Sequence, residues 1–212
     1  MKLYTFWRSS AAYRARIALA LKGLPYETIA QHLVRQENRS AGYLALNPQG
    51  LVPALADGAT LISQSLAIIE YLEETHPEPP LLPPDAAGRA QVRSMAHAIA
   101  CDIHPLQNLR VRNYLKGPLA QDAAVVDAWC RHWIAEGFHG LEELAGRFSG
   151  SGRHLHGERV TLADVCLVPQ MYNARRFGCD LAAFPRLVAI DAALAALPAF
   201  AAARPELQPD AE

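Results

Sequence analysis

The hydrophobic pattern over residues 2–75 switches between short apolar runs and longer segments with helical spacing. Apolar positions at intervals of three and four residues favour helices at residues 10–22 and 65–75. Short apolar runs bounded by turn residues are typical of strands. Four strands are predicted, at residues 2–6, 27–33, 52–56 and 60–63. The order is therefore strand, helix, strand, two close strands and a second helix.

The first predicted helix has a clear end at Gly23, which is followed by Pro25. Glycine tolerates the left-handed backbone that closes many helices, and proline cannot continue a helix. With the helix bounded in this way, the order of elements is thioredoxin-like. We therefore expect an α/β first domain over residues 1–80.

A proline-rich tract separates this domain from the remainder of the chain. Five prolines remove backbone donors and favour an extended linker; they are Pro77, Pro79, Pro80, Pro83 and Pro84. Beyond them apolar residues recur at helical spacing, and no alternating strand pattern follows. The prediction is an all-α second domain over 86–212, with a capping box at Thr161 and Asp164 and a tail from Pro205 to Glu212.

Composition narrows the range of partners. The chain has 212 residues, 51% of them apolar and 19% charged, with a formal net charge of −1. This balance is that of an ordinary globular protein and gives no electrostatic case for nucleic acid or an anionic membrane. Met1–Phe6 begins a strand without a signal-like segment, and no long uncharged apolar run follows, so a cytoplasmic protein is expected.

The cysteines and histidines give no sign of a metal or dithiol site. Four cysteines lie far apart in apolar helical surroundings, at Cys101, Cys130, Cys166 and Cys179. None belongs to a C-x-x-C motif, and the eight histidines lack paired metal-ligand spacing. We therefore predict four buried free thiols and no metal.

The strongest chemical signal is the pair of hydroxyls at Ser9 and Ser10, between an apolar strand and an amphipathic helix. The first turn of a helix has unpaired backbone N–H groups and the positive end of the helix dipole, so it stabilises an anion. Either serine could instead serve only as the helix N-cap. The two residues alone leave both interpretations open.

Many further segments favour the anion interpretation, because together they resemble the zeta-class glutathione transferases in the same order. They are Arg8–Ser10 through Leu21–Gly23, Asn47–Pro48, Val52–Pro53, Gln64–Glu74, Pro105–Asn108, Thr161–Asp164 and Val168–Gln170. The resemblance covers most of the chain. It implies a glutathione transferase fold, with a glutathione-binding first domain and a helical substrate-binding domain.

The resemblance also assigns residues to glutathione. Its thiolate would be bound by Ser9, Ser10 and the backbone beside Ala11, a position where many family members have cysteine. The cysteinyl main chain would pair with Val52, next to a cis proline. The remaining implied glutathione contacts are Asn38, Gln64, Ser65, His104 and Asn108. For Ser65 the alternative is a simple N-cap, and His104 and Asn108, four apart, are expected on one helical face.

Three arginines are implied for a substrate with two carboxylates: Arg8, Arg110 and Arg176. Arg175 precedes Arg176, and two adjacent arginines cannot share one helix face, so Arg175 is expected to be solvated. On an ideal helix Arg110 points away from Asn108. Its inclusion therefore requires a distortion near Pro105.

The implied reaction is cis–trans isomerisation of a maleyl keto acid by a homodimeric enzyme, with glutathione as a regenerated coenzyme. Ser9 is predicted to be the thiolate donor and Ser10 mainly the helix cap. Maleylacetoacetate and maleylpyruvate fit equally as substrates. Two other functions remain open: glutathione conjugation or α-halo-acid dechlorination, and a non-catalytic glutathione-binding module.

Overall fold

The computed structural model describes residues 1–212 and divides into two compact units. The first unit contains Met1–Pro80 together with Leu197–Glu212, and the second contains Leu81–Ala196. The predicted second domain, 86–212, thus differs from the structure at its end. The predicted tail, 205–212, belongs to the first unit, where Asp210 accepts the Trp7 N–H and Glu212 pairs with His32 and Arg35.

The first unit is built on a four-stranded mixed sheet of order β2-β1-β3-β4. Strand β1 pairs in parallel with β2 and antiparallel with β3, which in turn pairs antiparallel with β4. The strands are β1 Lys2–Thr5, β2 Glu27–Ala30, β3 Ala54–Asp57 and β4 Thr60–Ser63. All four predicted strands are present, although β2 is shorter than predicted and β3 begins two residues later.

Four helices accompany this sheet: α1 Ser10–Leu21, α2 Ala41–Leu46, α3 Ser65–Thr75 and α9 Pro198–Ala202. The predicted stop of α1 is confirmed, since Gly23 has φ of 64° and donates its N–H to the Ala20 carbonyl over 3.1 Å. Helix α2 was not predicted. It is too short to show a periodic apolar face, and Ser40 caps it by accepting the Tyr43 N–H.

Fully buried aliphatic side chains hold the first unit together. Leu3 of β1, Ile17 of α1, Leu55 of β3 and Leu72 of α3 are all 0% exposed. Burial of each such side chain contributes about 1.5–3 kcal/mol relative to exposure. The sheet and its two long helices therefore form a firm base for the loops at its edge.

The second unit is all-α, as predicted. Its helices are α4 Ala86–His97, α5 Leu109–Lys116, α6 Ala123–Phe148, α7 Leu162–Arg176 and α8 Pro185–Ala195. Between α4 and α5 the chain forms a π-helical segment, Ala98–Ile103, and a 3-10 turn, His104–Gln107. None of the helices is long and apolar enough to span a membrane.

The predicted capping box at the start of α7 is present. Asp164 Oδ2 accepts the Thr161 N–H over 2.7 Å, and Asp164 Oδ1 accepts the Leu155 N–H over 2.7 Å. The carboxyl group is fully buried, and this burial raises its pKa to about 6. Asp164 thus fixes both the helix start and the loop that precedes it.

Candidate functional site

The sheet topology brings the predicted glutathione-binding segments of the first unit to one edge. Strand β3 runs antiparallel to β1 and β4, so it begins at the edge where those strands end. Residues 6–10, 31–38, 50–53 and 64–65 therefore all lie at this edge. The pairing of Ala54 with Ser63 places Pro53 opposite Gln64. We call these four segments the sheet edge.

Ser9, not Ser10, is the N-cap of α1. Its Oγ accepts the Ala12 N–H over 3.3 Å, and its backbone is extended, with φ of −74° and ψ of 118°. The prediction that Ser10 caps the helix is therefore wrong; Ser10 is the first helical residue and is 4% exposed. A hydroxyl accepts and donates at once, so Ser9 retains its O–H for an anion. The first turn of α1 has no acidic side chain to offset the dipole.

The residues beside Ser9 are Arg8 and Ala11. The Arg8 guanidinium lies 5.0 Å from the centre of the Trp7 ring, in a cation–π contact. Arg8 and Ala11 are both half-buried, and Ala11 brings no thiol to the helix start. The positive charge of Arg8 thus precedes the capped helix end by one residue.

The turn before β3 leaves its main chain ready to bind a peptide. The Val52–Pro53 bond is cis, as the resemblance implied. The Val52 main chain makes no hydrogen bond to other backbone groups, while its side chain is buried with Phe6 and Tyr43. The preceding Leu51 carbonyl accepts from Tyr43 Oη over 2.6 Å and from Asn47 Nδ2 over 2.9 Å.

Asn38 supports this same turn. It is 7% exposed, and its Nδ2 donates to the Gly50 carbonyl over 2.6 Å. Gly50 has φ of 59°, and a Cβ there would lie 3.1 Å from the Asn38 carbonyl oxygen. The amide of Asn38 therefore holds the loop that carries Val52, and its contact with glutathione stays a prediction.

The start of α3 is an open helix N-terminus. Gln64 is the N-cap, with φ of 73° and no side-chain cap bond, so the alternative that Ser65 is the cap is wrong. The Gln64 side chain reaches Gln49 Oε1 over 2.8 Å. A non-glycine residue at positive φ is uncommon and often occurs at functional sites. Because no side chain caps the helix, its first N–H groups are available to an anion.

A buried arginine lies against this helix start. Arg14 of α1 is 1% exposed, and its Nη1 donates to Ser65 Oγ over 3.3 Å. Its charge adds to the positive potential of the α3 N-terminus. Sequence reasoning missed Arg14 and Gln49. The available signal for Arg14 was a cationic residue within the apolar pattern of the first helix.

In the second unit, the prediction that His104 and Asn108 share a helical face is wrong. The α-helix ends at His97, and the π-helical segment and 3-10 turn intervene before α5. Asn108 is the N-cap of α5, and its Oδ1 accepts the Arg110 N–H over 3.1 Å. The distortion around Pro105 does occur, and Arg110 is exposed on the first turn of α5.

Arg175 is exposed, in keeping with the prediction that it is solvated, but it also forms an ion pair. Its Nη2 lies 2.6 Å from Asp191 Oδ2, in an ion pair that joins α7 to α8. Asp191 is 4% exposed. Burial raises the pKa of Asp191, and the Arg175 charge and hydrogen bond oppose this shift. Arg175 therefore serves as the counter-charge of a buried carboxylate.

Arg176 belongs to a cluster of three arginines around Phe177. The guanidinium carbons of Arg176 and Arg112 lie 4.8 Å and 5.1 Å from the centre of the Phe177 ring. Arg131 Nη1 donates to the Phe177 carbonyl over 3.4 Å. We call Arg112, Arg131 and Arg176 the arginine cluster. Sequence reasoning missed Arg112 and Arg131. The spacing of residues along the chain does not show that side chains of α5 and α6 lie near the end of α7.

The four cysteines are free thiols, but not all are buried as predicted. Cys130 and Cys166 are buried, Cys179 is half-buried and Cys101 is exposed. Burial raises the pKa of Cys179 to about 11 and raises that of Cys130. Neither of these two thiols is therefore a nucleophile at neutral pH.

Comparisons with known proteins agree with this architecture. Residues 3–80 match the family described as Glutathione S-transferase, N-terminal domain. The chain is 52% identical to a probable maleylacetoacetate isomerase of Vibrio cholerae, over 99% of this chain and 97% of that one. It is 50% identical to a maleylpyruvate isomerase of a Ralstonia species, over 99% of both chains.

A solved structure extends the likeness to the whole chain. The holo structure of a maleyl pyruvate isomerase, described as a bacterial glutathione S-transferase of the zeta class, superposes with a TM-score of 0.98. The two chains are 50% identical and cover each other completely.

The fold and the sheet edge thus define a glutathione transferase. Within that class the chain belongs to the zeta family, which includes the maleylacetoacetate and maleylpyruvate isomerases. This membership confirms the predicted fold class, the assignment as an enzyme and glutathione as the cofactor.

Proposed function

We propose that the protein catalyses the glutathione-dependent cis–trans isomerisation of maleylacetoacetate to fumarylacetoacetate, in tyrosine and phenylalanine degradation. The observation that carries the proposal is the sheet edge, where the Ser9 hydroxyl, the unpaired Val52 main chain and the open start of α3 lie together. The relatives named as isomerases of maleyl keto acids support the substrate class.

The residues at the sheet edge fit glutathione group by group. An extended peptide pairs with the free main chain of Val52 as an added strand. The γ-glutamyl carboxylate binds at the start of α3, where Ser65 and the first N–H groups are backed by the charge of Arg14. The thiolate binds at the start of α1. Each of the three groups thus has a partner of matching polarity.

Ser9 stabilises the thiolate by donating its hydroxyl hydrogen. The adjacent helix N-terminus and the charge of Arg8 favour the same ionisation. When bound, glutathione would supply a thiolate for addition to the conjugated double bond, which would become single and free to rotate before the thiolate left, so the coenzyme would be regenerated. No protein acid–base pair is required, because the thiolate adds and leaves without a proton transfer. The chain's residues only have to stabilise anions.

Arginine side chains bind the two carboxylates of the substrate. Guanidinium groups bind carboxylates through two parallel hydrogen bonds, which fixes the orientation as well as the charge. We assign this role to Arg8 and Arg176, with Arg112 beside Arg176 on the Phe177 ring. Arg110, His104 and Asn108 remain predicted contacts, and Asn108 also caps α5 through its Oδ1.

Maleylpyruvate is the second candidate substrate, and the Ralstonia relative at 50% identity favours it. The two acids share the maleyl unit and differ at the keto end. The deciding experiment measures kcat/KM for maleylpyruvate and for maleylacetone, a stand-in for maleylacetoacetate, with and without glutathione. A higher value for maleylacetone supports the proposal, and a higher value for maleylpyruvate replaces it. Absence of glutathione-dependent turnover with either acid would refute both.

The proposal also includes the oligomeric state of the protein and its location in the cell. A symmetric homodimer and a cytoplasmic location remain predictions. Sedimentation at micromolar concentration tests the first, since full activity of a monomer would remove the dimer from the functional account.

A further inference from the structure

The last residues of the chain, Leu197–Glu212, are anchored on helix α1. Arg16 Nε donates to the Ala203 carbonyl over 3.2 Å, and Phe200 is 0% exposed. Beyond Ala203 the segment forms its own turns, in which Ala211 donates its N–H to the Gln208 carbonyl over 3.0 Å. These bonds place Asp210 at a fixed point against the loop between β1 and α1.

Arg16 also binds the loop between β1 and α1, through hydrogen bonds from its guanidinium. Its guanidinium is 1% exposed and donates from Nη2 to the Trp7 carbonyl over 2.9 Å and from Nη1 to Thr5 Oγ1 over 3.2 Å. Burial lowers the pKa of Arg16 to about 10, and the charge of Asp210 is among the influences that oppose this shift. Arg16 is therefore a cation at neutral pH, with Asp210 as a nearby anion.

The Asp210 carboxylate binds the other main-chain group of Trp7. Asp210 Oδ2 accepts the Trp7 N–H over 2.9 Å, while Oδ1 is buried and has no hydrogen-bond partner. The hydrogen bond to Asp210 therefore runs through the Trp7 N–H alone. Both main-chain groups of Trp7 are held by ionised side chains, and such charge-assisted bonds are stronger than neutral ones.

Trp7 is the second residue of the turn that ends at Ser9. The Ser9 N–H donates to the Phe6 carbonyl over 3.0 Å, which closes a β-turn with Trp7 and Arg8 at its centre. The orientation of the Trp7 peptide units therefore sets the direction in which the Ser9 hydroxyl points.

We propose that Asp210 is a positioning residue for the Ser9 hydroxyl, an inference that rests on the proposed role of Ser9 as thiolate donor. The carboxylate acts through the Trp7 N–H and does not touch substrate or glutathione. Loss of this acceptor leaves the Trp7 N–H without its partner. The turn is then held by Arg16 and by its own Ser9–Phe6 bond alone, and the hydroxyl moves away from the position in which it donates to the thiolate.

The test compares Asp210→Ala with Asp210→Asn in the full chain. Two readouts are used: the pKa of the bound glutathione thiol, followed by ultraviolet absorbance of the thiolate, and kcat with the better maleyl acid. Asp210→Ala should raise the thiol pKa by about 1 and lower kcat about tenfold. Glutathione affinity should change by less than about threefold. Asp210→Asn keeps an acceptor oxygen and should recover most of both values.

Glu206→Ala is the matched control, because it removes an exposed carboxylate of the same segment that lies 3.8 Å from Arg204 Nε and does not contact the loop. A double-mutant cycle with Ser9→Ala tests whether Asp210 acts through the Ser9 hydroxyl. Asp210→Ala should have no further effect on the thiol pKa once that hydroxyl is absent. Additive effects would overturn the proposal. So would equal losses in the Ala and Asn variants, an unchanged thiol pKa in folded Asp210→Ala, or a loss of the same size in Glu206→Ala.

The thiol pKa also separates this inference from the proposed function. It is measured with glutathione alone, so it tests the coupling of Asp210 to Ser9 even if neither maleyl acid is turned over. Conversely, isomerisation with an unchanged thiol pKa in Asp210→Ala would leave the proposed function intact and remove the role of Asp210.

Discussion

The sheet edge of the first unit and the arginine cluster of the second are built in different ways. At the sheet edge the candidate groups are backbone N–H groups and short hydroxyls, held by a cap, a cis bond and a residue at positive φ. In the arginine cluster the groups are long guanidinium side chains from three different helices, two of them at the Phe177 ring and the third at the Phe177 carbonyl. The first region is pre-organised by local geometry, whereas the second depends on packing between helices.

The largest expected effect concerns the most local group, Ser9. Ser9→Ala removes one charge-assisted hydrogen bond, so thiolate stabilisation should fall by about 1.5–3 kcal/mol and turnover by about ten- to a hundredfold. The bound thiol pKa should rise accordingly. Loss of the N-cap should also reduce the free energy of unfolding by about 1 kcal/mol.

Ser10→Ala is the control for Ser9→Ala, measured by the same spectroscopic titration and steady-state rates. Ser10 is not the cap, so its loss should leave the N-cap bond of α1 intact. If Ser10→Ala raises the thiol pKa and Ser9→Ala does not, the donor has been assigned to the wrong serine.

In the arginine cluster, Arg176→Lys keeps the charge but removes the two-pronged donor. We expect kcat/KM for the maleyl acid to fall about tenfold or more, equivalent to about 1.4 kcal/mol, with glutathione affinity nearly unchanged. Calorimetry with glutathione and steady-state rates separate the two quantities. Arg147→Lys, an exposed arginine on α6, is the control. A loss confined to glutathione affinity would contradict a substrate role for Arg176.

Arg175 neutralises the buried carboxylate of Asp191. Arg175→Ala should destabilise the protein at neutral pH by about 1 kcal/mol, a value kept low because the Arg175 side chain is 49% exposed. The raised pKa of Asp191 favours folding at low pH, and this contribution is lost as pH rises through the folded pKa. Without Arg175 that pKa rises further. The destabilisation should therefore disappear towards acid pH, which denaturant unfolding at several pH values would detect; equal destabilisation at all pH values would rule out the ion pair as its cause.

The smallest effect is expected at the ring that carries two of the cluster's guanidinium groups. Phe177→Leu preserves the apolar packing but removes cation–π contacts worth about 0.5–1 kcal/mol at exposed sites. A fall of a few fold in kcat/KM, driven by KM, is the expected result. Phe148→Leu, an aromatic change on α6 outside the cluster, should leave kcat/KM unchanged. Equal effects of the two changes would mean that Phe177 matters only for packing.

Sequence reasoning was accurate for features set by local geometry and inaccurate for features set by contacts between distant parts of the chain. The end of α1 at Gly23 and the capping box at Asp164 agree with the structure because each depends on a few adjacent residues. The cis bond at Pro53 also agrees, but it was implied by the family resemblance. The helical face expected for His104 and Asn108 failed. The α-helix ends at His97 and is followed by a π-helical segment and a 3-10 turn, and a periodic apolar pattern does not reveal this change.

Two other errors have identifiable physical causes. Ser9 and Ser10 are both good capping residues, and only the backbone dihedrals decide which of them lies outside the helix. Residues 205–212 lack an apolar pattern, so they were interpreted as a tail. They are fixed instead by one hydrogen bond from the Trp7 N–H to Asp210 and by the contacts of Glu212 with His32 and Arg35, which no local composition predicts.

Ala11 stands where many family members have cysteine, so the sheet edge has no protein sulfur beside Ser9. All four cysteines of the chain lie between residues 101 and 179, so the first unit contains no protein sulfhydryl. Formation of a mixed disulfide requires a second sulfur that a thiolate can attack. A thiolate held by Ser9 therefore has no sulfur partner within its own unit, and oxidation there cannot trap the coenzyme as a covalent protein conjugate with that unit.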